Sequence, residues 1–133
     1  MKKTVVTDNR RNNKYHAQKW GGYDSKKEAR RAQELRLLQQ AEQISDLREQ
    51  VAYELIPAQY VEEPRYGKRG QPLMPRRRCV ERACVYVADF VYNKLPSGEL
   101  IVEDTKSPAT RTPEYIIKRK LMLYVHHIQI REV

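Results

Sequence analysis

The sequence lacks several features that mark common protein classes. It has two cysteines, Cys79 and Cys84, which are too few for a disulfide framework, and no second Cys or His pair stands nearby to complete a zinc site. No apolar run approaches the roughly 18 residues that a membrane-spanning helix needs. The basic N-terminus lacks the apolar stretch and small-residue cleavage site of a signal peptide. A reduced, cytoplasmic protein is therefore expected.

Negative charge is also scarce, and the positive charge is unevenly spread. The chain has 26 Lys and Arg against 17 Asp and Glu, for a net charge of +9. Residues 1–31 carry ten Lys/Arg and three acids, residues 62–82 seven and three, and residues 106–133 six and two, while the segments between are net acidic. Such blocks favour a polyanionic partner, most simply nucleic acid, over a merely solvated basic surface.

Strand and helix patterns predict one small α/β domain at 19–133, preceded by a flexible basic arm at 1–18. The predicted order is a helix over 26–43, a strand over 51–57, a hairpin of "ACVYVADFVY" with "LIVEDTK", a second helix after Thr112, and a final strand "IQIREV". Residues 62–79 hold three prolines, two glycines and six Lys/Arg, which predicts a long basic loop or a splayed hairpin. The expected fold is a central mixed sheet flanked by helices.

Both helix starts have specific signals. Ser25 is a good N-cap, and Glu28 stands three residues later, where a capping box requires an acid. Thr112 precedes Pro113, a residue suited to the first helical position. Glu28 also lies one turn before Ala32, on the apolar side of the first helix.

Two carboxylates are predicted to meet across the hairpin. Side chains alternate along a strand, so Asp104 and Lys106 face the same way and Glu103 faces the other, where we expect it to meet solvent beside an arginine. Asp89 interrupts the apolar run of the preceding strand. Pairing the two strands across the "LPSGE" turn brings Asp89 close to Asp104.

A pair of close carboxylates predicts a bound cation. Like charges at that distance repel and raise the pKa of one group unless a cation stands between them. A hard divalent ion, Mg²⁺ or Mn²⁺, suits oxygen ligands, and Glu28 is the third candidate acid. Lys106 adds a positive charge that can orient an attacking water or offset charge in a transition state. This grouping favours phosphodiester hydrolysis.

The second helix raises a separate question. Ile116, Ile117, Leu123 and Tyr124 are expected to form one face with Lys120 in its middle, so Lys120 either extends to the helix edge or approaches the carboxylates and the scissile phosphate. The helix is apolar nearly all round, so both of its sides must be covered. A second copy of the chain, forming a homodimer, or the N-terminal arm would do so.

These residues resemble a known pattern. Asp89, followed by "DTK" at 104–106 and preceded by a helix that carries Glu28, resembles the PD-(D/E)XK nuclease superfamily, although Ala88 stands where the literal motif has proline. More closely, "KYHAQKWGGYDSKKEARRAQEL", "YVADFVY" and "IVEDTKS" resemble a family of small phage- and prophage-encoded proteins of unknown function assigned to that superfamily. The similarity runs from about residue 14 to residue 133.

The resemblance implies a restriction-endonuclease-like core and a metal-dependent DNA endonuclease, selective for branched or junction DNA in phage replication or recombination. The alternatives are an end-trimming or nicking nuclease, an RNA-directed nuclease, and a non-catalytic DNA-binding protein. The implied catalytic residues are Glu28, Asp89, Asp104, Lys106 and Lys120. The implied metal ligands are Glu28, Asp89, Asp104 and Thr105. The expected nucleic-acid contacts are Lys26, Lys27, Arg30, Arg65, Lys68, Arg69, Arg76, Arg77, Arg78 and Lys118.

Overall fold

The structure, a computed structural model, describes residues 21–133. The predicted arm at 1–18 therefore lies outside the described residues. The elements in chain order are α1 (Lys26–Gln40), β1 (Ile44–Ile56), β2 (Gln59–Tyr66), β3 (Pro72–Glu81), β4 (Cys84–Lys94), β5 (Glu99–Asp104), α2 (Pro113–His126) and β6 (Arg131–Glu132). No helix in this part of the chain is long and apolar enough to cross a membrane.

Both predicted helix starts are confirmed. The Ser25 hydroxyl accepts a hydrogen bond from the backbone N–H of Glu28, and the Thr112 hydroxyl accepts one from the N–H of Tyr115. These bonds satisfy N–H groups that have no partner within the helix. The first helix ends at residue 40, three residues earlier than expected.

The central sheet is mixed, as expected. Its strand order is β1-β4-β5-β6, with antiparallel pairing except between β5 and β6, which run parallel. Phe90 and Ile101 pack in one core cluster with α1 residues, whereas Val91 and Val102 pack in another with α2 residues. Because neighbouring strand residues point to opposite faces, the two helices cover opposite faces of the sheet.

Two expectations about the strands need correction. The first strand begins at residue 44 rather than 51, because a bulge between Ser45 and Arg48 interrupts the simple alternation that marks a strand in a sequence. The segment 62–79 is not a long loop. Strands β2 and β3 pair as an antiparallel hairpin, which forms a two-stranded sheet separate from the central one. Of the two alternatives for this segment, the hairpin is the one observed.

The buried side of α2 also differs from the expected one. The fully buried residues are Tyr115 and Met122, whereas Ile117, Leu123 and Tyr124 are 59%, 53% and 82% exposed. Periodicity cannot choose the buried side of a helix that is apolar nearly all round, so packing decides it. Here the α2 side that carries Tyr115 faces the cluster of Tyr86, Val91 and Val102.

Glu103 is buried rather than solvent-facing, although the expected arginine partner is present. Its side chain is 0% exposed, and Arg31 binds it through two hydrogen bonds, Nε to Oε2 at 3.0 Å and Nη2 to Oε1 at 2.6 Å. The hydroxyl of Tyr92 donates a third, at 2.6 Å. A buried carboxylate is tolerated only with such compensation. This pair joins α1 to β5.

Removing Arg31 should therefore unfold the protein more easily. Arg31→Ala leaves the Glu103 carboxylate buried without its cation, which should lower the free energy of unfolding by about 2–4 kcal/mol. Urea denaturation followed by circular dichroism measures the change. Arg36→Ala is the matched control, because Arg36 lies on the same helix but pairs with Glu49 on the surface; it should cost less than about 1 kcal/mol. Equal destabilisation of both variants would contradict this account.

Candidate active site

The hairpin of β4 and β5 brings Asp89 and Asp104 together. Phe90 is paired with Glu103, so the next position along the ladder places Asp89 opposite Asp104. The two carboxyl groups are close enough that Asp89 raises the pKa of Asp104 by charge repulsion. The alternation of side chains along both strands was sufficient to predict this pair from the sequence.

Asp104 is held by a neutral hydroxyl group at one carboxylate oxygen and by a positively charged lysine at the other. The residue is 4% exposed, and the hydroxyl of Tyr86 donates a hydrogen bond of 2.6 Å to its Oδ2. Lys106 Nζ lies 3.2 Å from its Oδ1 and 4.2 Å from the ring centre of Tyr115. Burial raises the pKa of Asp104 to about 6, against the opposing effect of the Tyr86 hydrogen bond. Asp104 and Lys106 thus share one side, as predicted.

Asp89 is anchored by the residue that follows Asp104. Both the backbone N–H and the hydroxyl of Thr105 donate to Oδ2 of Asp89, at 2.8 and 2.7 Å. These bonds fix the carboxyl group against the end of β5. Thr105 was expected among the metal ligands. In the structure its backbone N–H and hydroxyl orient the carboxyl group of Asp89.

Glu28 completes the acidic group from α1. It is 6% exposed, and burial raises the pKa of its carboxyl group to about 7, with further contributions from the charges of Asp89 and Asp24. The amide of Gln50 donates to Oε1 of Glu28 at 3.1 Å and to Oδ1 of Asp89 at 3.4 Å. Gln50 thereby bridges the two carboxylates.

Gln50 is a site residue that the sequence did not reveal. Its φ angle of +52° lies in the left-handed region, which costs a non-glycine residue on the order of 1–3 kcal/mol within a strand. Gln50 lies between the Glu49–Phe90 and Val51–Ala88 pairs, and Asp89 is the residue at the same level of the neighbouring strand. No sequence signal marks such a backbone conformation in a glutamine. Tyr86 was missed for a simpler reason, since a tyrosine in an apolar strand is ordinarily only core.

The acidic group has the donor atoms that a divalent cation prefers. Among residues 21–133, no three His, Cys, Asp or Glu side chains stand close enough together to hold a metal ion as they are placed. The donor chemistry nevertheless fits, because carboxylate oxygens are the ligands that Mg²⁺ and Mn²⁺ favour. Burial is the main cause of the raised pKa values of Glu28 and Asp104, and charge repulsion from Asp89 adds to both.

Two depressions lie beside residues of the acidic group or its neighbour Thr105. One, of about 300 Å³, is lined by Asp104, Lys106 and Lys118 on the α2 side. The other, of about 280 Å³, is lined by Lys27, Arg30 and Thr105, among others, on the α1 side. The α1-side depression is net basic, whereas each lysine of the α2-side depression is paired with an acid of the same lining, Lys106 with Asp104 and Lys118 with Glu114.

Lys120 does not join the group. It is exposed and lines a different depression with Gln129 and Glu132, and it forms no hydrogen bond or ion pair with the described carboxylates Glu28, Asp89 and Asp104. Because Tyr115 and Met122 occupy the buried side of α2, Lys120 falls on the opposite side. The alternative weighed for it, extension to solvent at the helix edge, is the one that the structure shows.

The predicted nucleic-acid contacts divide into two sets. Four have intramolecular contacts: Lys27 donates to the carbonyl of Lys106, Arg77 lies over the ring of Tyr60, Arg78 pairs with Glu63, and Lys118 pairs with Glu114. Lys26 belongs with these four, since it too has a partner within the chain. Five form no ion pair with a described residue, and these are Arg30, Arg65, Lys68, Arg69 and Arg76. The second set is the more available to an external anion.

Glu28→Gln should make the metal-free protein more stable at high pH. A folded-state pKa raised to about 7 means that Glu28 favours folding when protonated, and that this contribution is lost as pH rises from about 4.5 through 7. Glutamine carries no charge at any pH. With chelator present, Glu28→Gln should therefore gain about 1–3 kcal/mol over the natural chain at pH 8 and almost nothing at pH 4.

Urea unfolding at the two pH values measures this difference. Glu34→Gln is the matched control, since Glu34 stands on the exposed side of the same helix, and it should change stability by less than about 0.5 kcal/mol at either pH. A Glu28→Gln variant that is less stable at pH 8 would show that the carboxylate is needed for folding rather than tolerated by it.

Comparison with known proteins places the chain in a family. A family model described as "Protein of unknown function (DUF1064)" matches residues 12–132. Comparisons with the curated proteins and with the solved structures give no match. The family description names no activity, substrate or source, so the chemistry of the site has to be argued from its residues. Since the match spans nearly the whole sequence, the chain belongs to the DUF1064 family.

Proposed function

We propose that the protein is a metal-dependent DNA endonuclease of the PD-(D/E)XK type. The observation that carries the proposal is the meeting of Asp89 and Asp104 at the end of one hairpin, with Lys106 Nζ 3.2 Å from Asp104. A structural reading of these carboxylates is weak, because the protein already has a fully compensated buried carboxylate at Glu103. A binding protein has no need of further acids facing a polyanion.

Each residue has a definite role in the proposed hydrolysis. Asp89 and Asp104, with Glu28, would hold Mg²⁺ or Mn²⁺, and the Thr105 carbonyl is the fourth proposed ligand. The bound cation would supply acid catalysis at a phosphoryl oxygen and lower the pKa of water. Lys106 is placed to orient the attacking water or to donate to a phosphoryl oxygen as charge builds there. Tyr86 and Gln50 hold the carboxylates in position.

The arrangement favours internal cleavage over trimming of ends. Basic side chains line two depressions near the acidic group, Lys118 in the one that contains Asp104 and Arg30 in the one that contains Thr105. A strand that lies across both depressions has phosphates on both sides of the scissile bond. Branched or junction DNA, as in phage replication or recombination, is the proposed substrate, and end-trimming remains the competing activity.

Asp104→Asn should abolish cleavage while binding persists. The change removes a proposed ligand's charge but keeps its shape, so cleavage of four-way junction, flapped and linear DNA with Mg²⁺ should fall by about 100-fold or more. Binding to the same DNA should be equal or tighter, because a charge that repels phosphate is removed. Gel assays of cleavage and anisotropy measurements of binding give the two quantities.

Asp46→Asn is the control for this variant. Asp46 lies on the surface beside Arg48, with its side chain 61% exposed, and its left-handed backbone suits asparagine equally well. It should cleave at the natural rate. Cleavage in excess chelator, or a fully active Asp104→Asn protein, would refute the proposal, and cleavage confined to free ends would favour the trimming activity.

We also propose that the protein forms a homodimer through α2. Ile117 and Tyr124 stand two turns apart on the side of this helix that faces away from the core, and both are exposed. Leu123 and Val125 widen the apolar surface. A two-fold pair would present two acidic groups to one branched substrate.

Tyr124→Glu should break this dimer. A charge at the centre of the apolar surface opposes its burial, so light scattering at micromolar concentration should give a mass near 15.8 kDa for the variant and twice that for the natural chain. Leu37→Glu, at a 59% exposed position of α1, should leave the mass unchanged. A natural chain that is monomeric with and without DNA contradicts the proposal.

A further inference from the structure

The hairpin of β2 and β3 is built unlike the rest of the protein. Every described residue of the two strands is exposed except Glu63, which is partly buried. The two strands pair with each other and belong to neither face of the central sheet. A two-stranded ribbon with both faces in solvent has no core of its own and is marginally stable in water. Its length must therefore be explained by what it contacts.

Charge is distributed unevenly along this ribbon. Near its base, Arg78 pairs with Glu63, and Arg77 lies 3.9 Å over the ring of Tyr60. Toward the turn, the basic residues form no ion pair with any residue in the described part of the chain, and these are Arg65, Lys68, Arg69 and Arg76. The ribbon is thus internally balanced at its base and strongly cationic at its tip.

The tip also presents large apolar side chains. Met74 is 83% exposed and Tyr66 is 68% exposed. Tyr66 pairs with Pro72 across the ribbon, and Met74 stands two positions further along β3, at an irregularity in the pairing between the Arg65–Leu73 and Glu63–Arg76 pairs. Apolar groups at the end of a cationic ribbon do not serve solubility. They fit a partner that offers both phosphates and the apolar methyl groups of thymine bases.

We propose that this hairpin inserts its tip into the major groove of B-form duplex DNA. That groove is about 12 Å wide and admits a two-stranded β-ribbon. In this placement Arg65, Lys68, Arg69 and Arg76 contact the phosphates on the groove walls, while Tyr66 and Met74 contact base edges on its floor. The inference rests on the proposed function only in taking DNA as the partner.

Two competing ligands fit the ribbon less well. Single-stranded nucleic acid is bound by stacking bases on several aromatic side chains, but the two strands carry only Tyr60 and Tyr66, and Arg77 already lies over the ring of Tyr60. The major groove of A-form RNA is deep and narrow, so a ribbon cannot enter it. The groove of a DNA duplex is the site that both the width and the side chains match.

The test separates phosphate contacts from groove contacts. Binding to a 30-base-pair DNA duplex is measured by anisotropy in chelator at several salt concentrations, so that no cleavage occurs. Lys68→Gln with Arg69→Gln should weaken binding and reduce the slope of log affinity against log salt by about 0.9 for each phosphate that is no longer neutralised. Tyr66→Ala with Met74→Ala should weaken binding by about 10-fold and leave that slope unchanged.

The control variant changes two residues of β1 and β4 at the end of their pairing that lies away from the β2–β3 hairpin. Arg48→Gln with Lys94→Gln removes two exposed cations there and should have less effect on the affinity and slope than the tip variant. The urea midpoints of all variants should equal that of the natural chain, because the altered side chains are exposed. A duplex of RNA should be bound at least about 10-fold more weakly than the DNA duplex.

Three outcomes would overturn the inference. Unchanged DNA affinity in the Tyr66 and Met74 variant, equal affinity for RNA and DNA duplexes, or a tip variant that loses self-association but no DNA affinity would each exclude groove insertion. The last outcome would assign the ribbon to a second copy of the chain. A protein that binds as expected but never cleaves with Mg²⁺ refutes the proposed nuclease activity alone.

Discussion

The fold depends on two adjacent buried carboxylates at the end of β5. Glu103 and Asp104 point to opposite faces of the sheet, and each has its own cation, Arg31 on the α1 side and Lys106 on the α2 side. Charges cannot remain buried without such partners. The first pair fixes α1 against the sheet, and because Glu28 lies three residues before Arg31, on the same side of the helix, that pair also carries Glu28 toward Asp89.

The two carboxylates differ in how completely they are compensated. Glu103 receives two hydrogen bonds from a guanidinium and one from Tyr92, which is close to its full capacity. Asp104 has one lysine and one hydroxyl and faces a second acid, and its pKa is raised to about 6. Burial is the largest cause of that shift, and charge repulsion from Asp89 adds to it. The incomplete compensation of Asp104 is therefore the feature that separates a candidate site from an ordinary buried ion pair.

Sequence patterns predicted the features that depend on residues close together in the chain. The caps at Ser25 and Thr112 and the meeting of Asp89 with Asp104 follow from helix and strand periods alone. Gln50 could not be found, because no sequence signal marks a left-handed backbone at a glutamine or its contact with two distant carboxylates. The prediction of the buried side of α2 was wrong because several of its sides are apolar and packing against the sheet selects among them. The place of Lys120 followed from that error.

The acidic group of Glu28, Asp89 and Asp104 lies in a chain whose net charge is strongly positive. In the proposed function, the net charge of +9 would draw a polyanion toward the surface, where Arg30 lines the basic depression on the α1 side. The carboxylates of the acidic group would repel the phosphates of that partner. The proposed hard cation would remove this conflict, because it would neutralise the acids and bind the phosphate at once. Without the proposed cation, the same carboxylates would keep the phosphates of the partner out of the site, although the net positive charge of the chain attracts them.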